Sequence, residues 1–332
     1  MNFPARHWRV EDGSVKCELC PNYCRIAPSK RGRCLGRENI EGRLFAVNYG
    51  EVVSMNIDPV EKKPLYHFLP GSDVLSVATY GCNLLCPFCQ NWEISQRPAP
   101  TRYVAPKELV QAASKHHSPA VAFTYTEPLI WFEYLMDVCP LLRDAGIRTV
   151  LVTNGMINPE PLSELLPHVD AMNVDLKSLN PEFYRDYVKG CLSSVQDTLR
   201  AAVGHCHIEI TTLLIPGRND SEPELEALTD FVARLGRAVP LHFSRYFPRH
   251  KEKESATPTE TIIAAATLAK RKLDYVYVGN VAARAEYRDT FCPRCGNLQI
   301  ERSSYQGRVV GITGGRCAEC GRAADVVPVS FS

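Results

Sequence analysis

Two hydrophobic periods alternate through the middle of the chain. Short runs rich in β-branched and aromatic residues predict strands, and most are followed by a segment with apolar residues three or four apart, which predicts a helix. The strands are predicted at 74–80, 120–126, 148–153, 171–176, 208–215, 241–247 and 275–278. This alternation indicates a parallel sheet covered by helices, so the expected fold class is α/β. Six β/α units and a last strand predict a partial barrel of the (β/α)6 type.

The same pattern divides the 332 residues into three segments. Residues 1–72 are irregular and contain a group of cysteines, residues 73–282 carry the alternation, and residues 283–332 carry two more cysteine pairs. We therefore expect an N-terminal cysteine-cluster segment, a central barrel and a C-terminal segment like a zinc ribbon. Within the barrel, Ser221 with Glu224 and Thr257 with Glu260 match the capping-box pattern and predict two helix starts.

The composition is that of a soluble globular protein, with 45% hydrophobic and 23% charged residues. The 38 basic and 37 acidic residues nearly cancel, and a net charge of +1 disfavours a nucleic-acid partner. The sequence contains no run of 18 apolar residues and no signal-peptide pattern at its start. We therefore expect a cytoplasmic protein without a membrane segment.

The 14 cysteines are unusual for such a chain. Eleven of them fall into three clusters, and clustered cysteines in a long cytoplasmic chain indicate metal binding rather than disulfides. Cys139, Cys191 and Cys206 stand alone and are expected to act as small apolar side chains.

The middle cluster has the spacing C-x3-C-x2-C and consists of Cys82, Cys86 and Cys89. An iron–sulfur cubane usually has four cysteine ligands, so three would leave one iron open, as in catalytic metal sites. The cluster follows the first predicted strand, at the edge of a barrel where active sites form. A zinc site built on Cys86 and Cys89 is the alternative, but it would need a second such pair nearby.

This segment, together with the β/α series after it, resembles the radical S-adenosylmethionine (SAM) superfamily. The resemblance implies a [4Fe–4S] cluster on Cys82, Cys86 and Cys89, with SAM bound at the open iron. Reductive cleavage of SAM would give a 5′-deoxyadenosyl radical that abstracts hydrogen from a substrate. It also implies a reductant such as flavodoxin or ferredoxin. Phe88 occupies the aromatic position that often borders the adenine.

The resemblance further implies SAM contacts where the predicted strands end. The candidates are Thr126, Glu127, Thr153, Asn154, Asp175, Lys177, His242 and Arg245. An ordinary surface salt bridge is the alternative role for Asp175 and Lys177. His242 and Arg245 are expected to end the sixth strand and to reach the SAM carboxylate or the substrate.

Two further sets of four cysteines flank the barrel. The C-terminal quartet consists of Cys292, Cys295, Cys317 and Cys320, and its two C-x2-C pairs predict a zinc ribbon, with a second Fe–S cluster as the alternative. The N-terminal quartet consists of Cys17, Cys20, Cys24 and Cys34. Its looser spacing is compatible with structural zinc or with an auxiliary [4Fe–4S] cluster.

Three more segments narrow the resemblance. Residues 58–68, 90–96 and 277–280, taken with both flanking quartets, resemble the radical SAM component of the AmmeMemoRadiSam system, which is similar to pyruvate formate-lyase activating enzyme. This implies an unidentified substrate and partners among the other AmmeMemoRadiSam proteins. Lys62, Tyr66 and His67 are candidates for substrate contacts; a solvated charge and a hydrogen bond to a nearby carbonyl are the alternatives for Lys62 and His67.

Two other functions remain open from the sequence. A glycyl-radical-enzyme activase would share the SAM chemistry but act on a protein. A non-catalytic, metal-stabilised module that binds RNA or protein is the second alternative, and the net charge of +1 argues against it.

Overall fold

Eight strands form the central sheet of the structure, a computed structural model that describes residues 3–328. They are β1 (Ser54–Pro59), β2 (Asp73–Ala78), β3 (Ala120–Phe123), β4 (Arg148–Thr153), β5 (Ala171–Asp175), β6 (His207–Leu214), β7 (Leu241–Arg245) and β8 (Val276–Gly279). Their order across the sheet follows the chain from β1 to β8. β2 to β8 are parallel, and β1 pairs antiparallel with β2.

Helices connect the parallel strands. They are α1 (Pro106–Lys115), α2 (Phe132–Asp144), α3 (Pro159–Leu165), α4 (Leu192–Ala202), α5 (Glu222–Leu235) and α6 (Thr259–Ala269). Shorter helical turns lie at Val60–Lys62, Trp92–Ser95, Pro128–Trp131, Leu166–His168, Phe183–Tyr187 and Ala285–Arg288. The expected α/β fold of partial-barrel type is thereby confirmed. Within residues 3–328, no helix has the length and apolar character needed to cross a membrane.

Burial on both faces explains why the barrel strands read as short, nearly continuous apolar runs. Every residue of β3 is fully buried, since one face meets the helices and the other the barrel interior. Because parallel strands end at the same edge, the loops after β2, β3, β4 and β5 meet at the carboxyl end of the barrel.

The N-terminal segment forms small antiparallel sheets against this barrel. One contains Phe3–Pro4, Arg37–Ile40 and Arg43–Ala46, a second contains Trp8–Glu11, Ser14–Cys17 and Arg25–Ile26, and Glu51–Val52 pairs with Arg102–Tyr103. A buried ion pair attaches the first sheet to α2: the Nη1 of Arg37 lies 2.6 Å from the Oε1 of Glu133. The N-terminal segment also supplies β1, so it is continuous with the central sheet.

The C-terminal segment contacts the chain around residues 66–71, which precedes β2. Its strands are Thr290–Phe291, Leu298–Ser303 and Gln306–Val309 in one sheet, and Ile312–Thr313 with Arg316–Cys317 in another. The buried Arg302 donates to the carbonyl oxygen of Tyr66 at 2.5 Å. The Nδ1 of His67 lies 2.6 Å from the carbonyl oxygen of Asp325. This segment therefore packs at the amino end of the barrel.

Candidate functional site

Cys82, Cys86 and Cys89 lie in the loop after β2, at the carboxyl end of the barrel. We call them the central triad. The backbone N–H of Leu84 points to the Sγ of Cys82 at 3.4 Å, and the Sγ of Cys89 lies 3.2 Å from the Oγ of Ser95. Burial raises the pKa of Cys86 to about 12, so its thiolate needs a bound cation.

The spacing of the triad sulfurs suits a cluster better than a single ion. Among residues 3–328, the triad is not one of the groups whose ligand atoms all lie within 4.8 Å of one another. In a cubane each thiolate binds a different iron, which separates the sulfurs more widely than around one zinc ion. Three cysteines on an open loop with polar donors toward their sulfurs therefore fit a [4Fe–4S] group.

Glu127 connects the loops after β3 and β4. It is buried, and its Oε1 accepts hydrogen bonds from the Oγ1 of Thr153 at 2.6 Å and the N–H of Leu129 at 2.9 Å. Its Oε2 accepts from the N–H of Asn154 at 2.8 Å. Burial raises the pKa of Glu127 to about 7. The carboxylate acts on these two loops rather than projecting into an open pocket.

Asn154 brings the end of β4 to the triad. Its Nδ2 donates to the Oδ1 of Asn83 at 2.8 Å and lies 3.6 Å from the Sγ of Cys82. Asn83 in turn donates to the carbonyl oxygen of Met156 at 2.7 Å. The sequence reasoning missed Asn83, for which the only available signal was its position inside the cysteine motif.

Asp175 and Lys177 form an ion pair of 2.9 Å at the end of β5. Only 12% of the Lys177 side chain is exposed, against 39% of that of Asp175, so the ammonium is more sheltered than in an ordinary surface salt bridge although the carboxylate is not. Burial disfavours the charge of Lys177, but the charge of Asp175 and the hydrogen bond to it act in the opposite direction, and the pKa of Lys177 lies above its usual range. The amide of Asn219 supports this loop by donating to the carbonyl oxygen of Lys177 at 2.6 Å.

Thr126 and Phe88 are also at this end of the barrel. The Oγ1 of Thr126 donates to the carbonyl oxygen of Thr79 at 2.7 Å, which ties the β3 loop to the β2 loop. Phe88 is buried, and its ring centroid lies 5.6 Å from that of Tyr187. The structure thus gathers the triad and the candidates from the ends of β3, β4 and β5 around one rim.

His242 departs from this arrangement. It is the second residue of β7, which ends at Arg245, so the expectation that His242 ends its strand was wrong. Its Nε2 lies 2.6 Å from the Oε2 of Glu209, a fully buried carboxylate inside the barrel that also contacts His207. The periodic pattern predicted a strand at 241–247, whereas the hydrogen-bonded strand ends two residues earlier, at Arg245.

Arg245 ends β7 as expected, but its side chain is engaged locally. Its Nε donates to the carbonyl oxygen of Thr257 at 2.7 Å, and its guanidinium lies 4.9 Å from the ring centroid of Phe247. Neither contact involves the triad or the Asp175–Lys177 pair.

The earlier substrate candidates divide between two places. His67 is buried at the amino end of the barrel, where its Nε2 lies 2.6 Å from the hydroxyl of Tyr277. Tyr66 packs beside it, under the guanidinium of Arg302 at 4.2 Å. Lys62 is half-exposed and lies 2.7 Å from the carboxylate of Asp58.

Both flanking quartets are assembled. The four sulfurs of the C-terminal quartet all lie within 4.8 Å of one another, and both the Cys292–Cys320 and the Cys295–Cys317 distances are 3.6 Å. This confirms the predicted C-terminal cluster as a group able to hold one metal ion. The N-terminal quartet surrounds a separate small cavity.

Comparison with known proteins identifies the family. A family model of the radical SAM superfamily matches residues 76–228. The chain is 42% identical over 329 residues to an uncharacterized protein of Methanocaldococcus jannaschii, covering 96% of this chain and 97% of that relative. It is 24% identical over 162 residues to the pyruvate formate-lyase-activating enzyme of Clostridium pasteurianum, covering 47% of this chain and 67% of the relative.

A solved structure shares the fold. The crystal structure of Streptococcus suis SuiB bound to S-adenosylmethionine matches with a TM-score of 0.51 and 12% identity, over 66% of this chain and 51% of that chain. The family-model match shows that the chain carries a radical SAM domain over residues 76–228. Such a domain implies a [4Fe–4S] cluster, SAM, and enzymatic SAM-dependent radical chemistry.

Proposed function

We propose that this chain is a radical SAM enzyme in which Cys82, Cys86 and Cys89 hold the cluster that cleaves SAM. A cluster held by these three cysteines would supply an open coordination position for SAM and one electron for its reductive cleavage. The observation that carries the proposal is the triad itself: three thiols, not all within 4.8 Å of one another, at the carboxyl end of a β/α barrel.

The surrounding residues are suited to bind the methionine part of SAM. The carboxylate of Asp175 can accept from an ammonium group, and the buried ammonium of Lys177 can donate to a carboxylate. Thr126, Thr153 and Asn154 line the adjoining loops, which Glu127 holds together. Because Glu127 already accepts three hydrogen bonds, we assign it to positioning these loops. The backbone of the loops would then contact SAM.

A second group of polar residues lies at the end of β1, where Asp58 pairs with Val74 at the start of β2. Tyr125, next to the SAM-binding candidates, has a left-handed φ of 66° and directs its hydroxyl to Asp58. Lys62 and the buried Lys63 each lie 2.7 Å from the same carboxylate. Burial opposes the charge on Asp58, but these hydrogen bonds outweigh it and hold its pKa below the usual range. The ion pair with Asp58, at the opposite end of β2 from the triad, is therefore the role that these contacts support for Lys62.

The C-terminal quartet is proposed to bind zinc. A zinc–sulfur distance of about 2.3 Å in a tetrahedron places the sulfurs about 3.8 Å apart, which agrees with the 3.6 Å separations. Hydrogen bonds from the backbone of Cys320 and burial act in opposite directions on Cys317, and the net effect lowers its pKa to about 6. The C-terminal segment that carries the quartet packs at the amino end of the barrel, which favours a structural role for the metal.

The wider context follows from the closer resemblance. We infer a low-potential reductant such as flavodoxin or ferredoxin, and a substrate handled together with other AmmeMemoRadiSam proteins. Relatives include activating enzymes, but the 24% identity to the Clostridium pasteurianum enzyme covers only 47% of this chain. That part is the shared barrel, so it gives no specific support for a glycyl-radical partner.

The test is production of 5′-deoxyadenosine from SAM. The full chain is reconstituted with iron and sulfide without oxygen, reduced, and assayed by liquid chromatography and mass spectrometry. We expect 5′-deoxyadenosine from the native chain and from Cys191→Ala, a matched cysteine control outside the clusters, and none from the triple variant C82A/C86A/C89A. Failure of a fully iron-loaded native chain, or production by the triple variant, contradicts the proposal.

A further inference from the structure

The N-terminal quartet forms one enclosed site. Cys17 and Cys34 are buried, whereas Cys20 and Cys24 are partly exposed, and all four line the same cavity. Its other walls are mainly apolar and include Ile26 and Ile130. Four thiols around one apolar cavity are the donor set of either a zinc ion or an iron–sulfur cluster.

Sulfur spacing separates these two possibilities within the same molecule. The C-terminal quartet places its four sulfurs within 4.8 Å of one another, which fits one zinc ion. In the described part of the chain, no three sulfurs of the N-terminal quartet lie within 4.8 Å of one another, and the same is true of the central triad. The open arrangement fits a cubane, because each thiolate then binds a different iron.

Arg37 indicates that the cavity receives an anionic group. Its side chain lies in the cavity wall and is 1% exposed. The Nη1 pairs with the Oε1 of Glu133, but the Nε and Nη2 of Arg37, like the Oε2 of Glu133, have no hydrogen-bond partner among residues 3–328. Leaving buried donors unsatisfied is unfavourable, and the sulfurs of a thiolate-ligated cluster would be acceptors for them.

We propose that the N-terminal quartet binds an auxiliary [4Fe–4S] cluster rather than zinc. Four cysteines would ligate all four irons, so this cluster would have no open iron and would not bind SAM. Its role would then be electron transfer to the central triad.

The N-terminal quartet and the triad are in direct contact through the chain. Asn22, between Cys20 and Cys24, donates its Nδ2 to the carbonyl oxygen of Asn83 at 2.8 Å, one residue after Cys82. On the other side, the carbonyl of Cys34 packs against Gly81, one residue before Cys82. The two sites are thus joined by one side chain and one van der Waals contact.

This adjacency defines a path for an electron. A reduced flavodoxin or ferredoxin would give one electron to the auxiliary cluster near its partly exposed cysteines, and that cluster would pass it to the cluster on the triad. The donor is oxidised by one electron and no bond or proton is transferred. The relay rests on the proposed function, whereas the cluster assignment does not.

The cluster assignment is tested in the full chain with the triad removed. The variant C82A/C86A/C89A leaves the N-terminal quartet intact and is reconstituted and reduced without oxygen. We expect about four irons and one zinc per chain and an electron paramagnetic resonance signal that SAM does not change. Adding Cys20→Ala and Cys24→Ala to this variant should remove the iron. Two zinc ions without iron, or neither metal at the N-terminal quartet, would overturn the assignment.

The relay is tested with two reductants. The variant C20A/C24A, with the triad intact, is compared with the native chain for 5′-deoxyadenosine formed with reduced flavodoxin and with dithionite. We expect the ratio of the flavodoxin-driven to the dithionite-driven rate to fall at least tenfold in the variant. An unchanged ratio would refute the relay, even where the iron counts support the auxiliary cluster. The same metal analysis of C20A/C24A checks that the triad keeps its own iron.

Discussion

Substitution of Gly81 by alanine tests the contact between the N-terminal segment and the triad loop. Gly81 has a φ of 93°, and an added Cβ would lie 2.0 Å from the carbonyl oxygen of Cys34. A side chain in the left-handed region costs about 1–2 kcal/mol. Displacing a packed backbone to relieve the overlap costs a further ~1–3 kcal/mol. We therefore expect a total loss of about 2–5 kcal/mol from Gly81→Ala.

Gly146 provides the matched control. It also has a left-handed φ, of 72°, but an added Cβ there would meet no atom within 4 Å. Gly146→Ala should carry the conformational cost alone, about 1–2 kcal/mol. The difference between the two variants isolates the contact with Cys34.

The assay is the apparent thermal midpoint of the metal-loaded chain, followed by circular dichroism without oxygen. For a chain of this length each kcal/mol should shift the midpoint by about 2 °C. We expect Gly81→Ala to lower it by about 2–6 °C more than Gly146→Ala, and to lose iron on gel filtration. Equal shifts in the two variants would show that the loop after β2 is not seated on Cys34.

Two further outcomes follow from buried charges. Lys177→Gln should weaken SAM binding roughly 10- to 100-fold by calorimetry on the iron-loaded chain, the value of a charged hydrogen bond, whereas the exposed Lys107→Gln should not. Burial lowers the pKa of His67 from 6.5 to about 4, so the folded state excludes a proton that the unfolded state takes up. The native chain should therefore have a higher free energy of unfolding than His67→Gln, and this difference should be largest above pH 6.5. It should fall by about 3 kcal/mol as the pH drops to 4. A pH-independent difference in urea unfolding would refute this.

The barrel was largely predictable because its strands are buried on both faces. The predicted strand at 148–153 coincides with β4, and 171–176 differs from β5 by one residue. The predicted strand at 120–126 was too long, because the left-handed backbone of Tyr125 takes the chain out of β3 to reach Asp58. Apolar periodicity carries no information about such a distant partner.

The capping boxes show the same limit. The helices begin near the predicted positions, at Glu222 and Thr259. Ser221 makes no side-chain capping hydrogen bond within the described residues, and Glu224 instead accepts from the Oγ of Ser178 at 2.5 Å. The local pattern identified a helix start correctly, but the acid that completed the pattern serves the loop after β5.

Cysteine spacing located all three cysteine groups, and for the N-terminal quartet it predicted structural zinc first and an iron–sulfur cluster second. Two residues that favour a cluster there, Arg37 and Asn22, carry no local signal, since their importance depends on Glu133 and Asn83, which are distant along the chain. The flanking segments then have different consequences. The segment that carries the C-terminal quartet packs at the amino end of the barrel, whereas Cys34 of the N-terminal quartet contacts the triad loop at Gly81. We therefore expect metal loss at the N-terminal quartet to disturb the triad loop, and metal loss at the C-terminal quartet to lower stability alone.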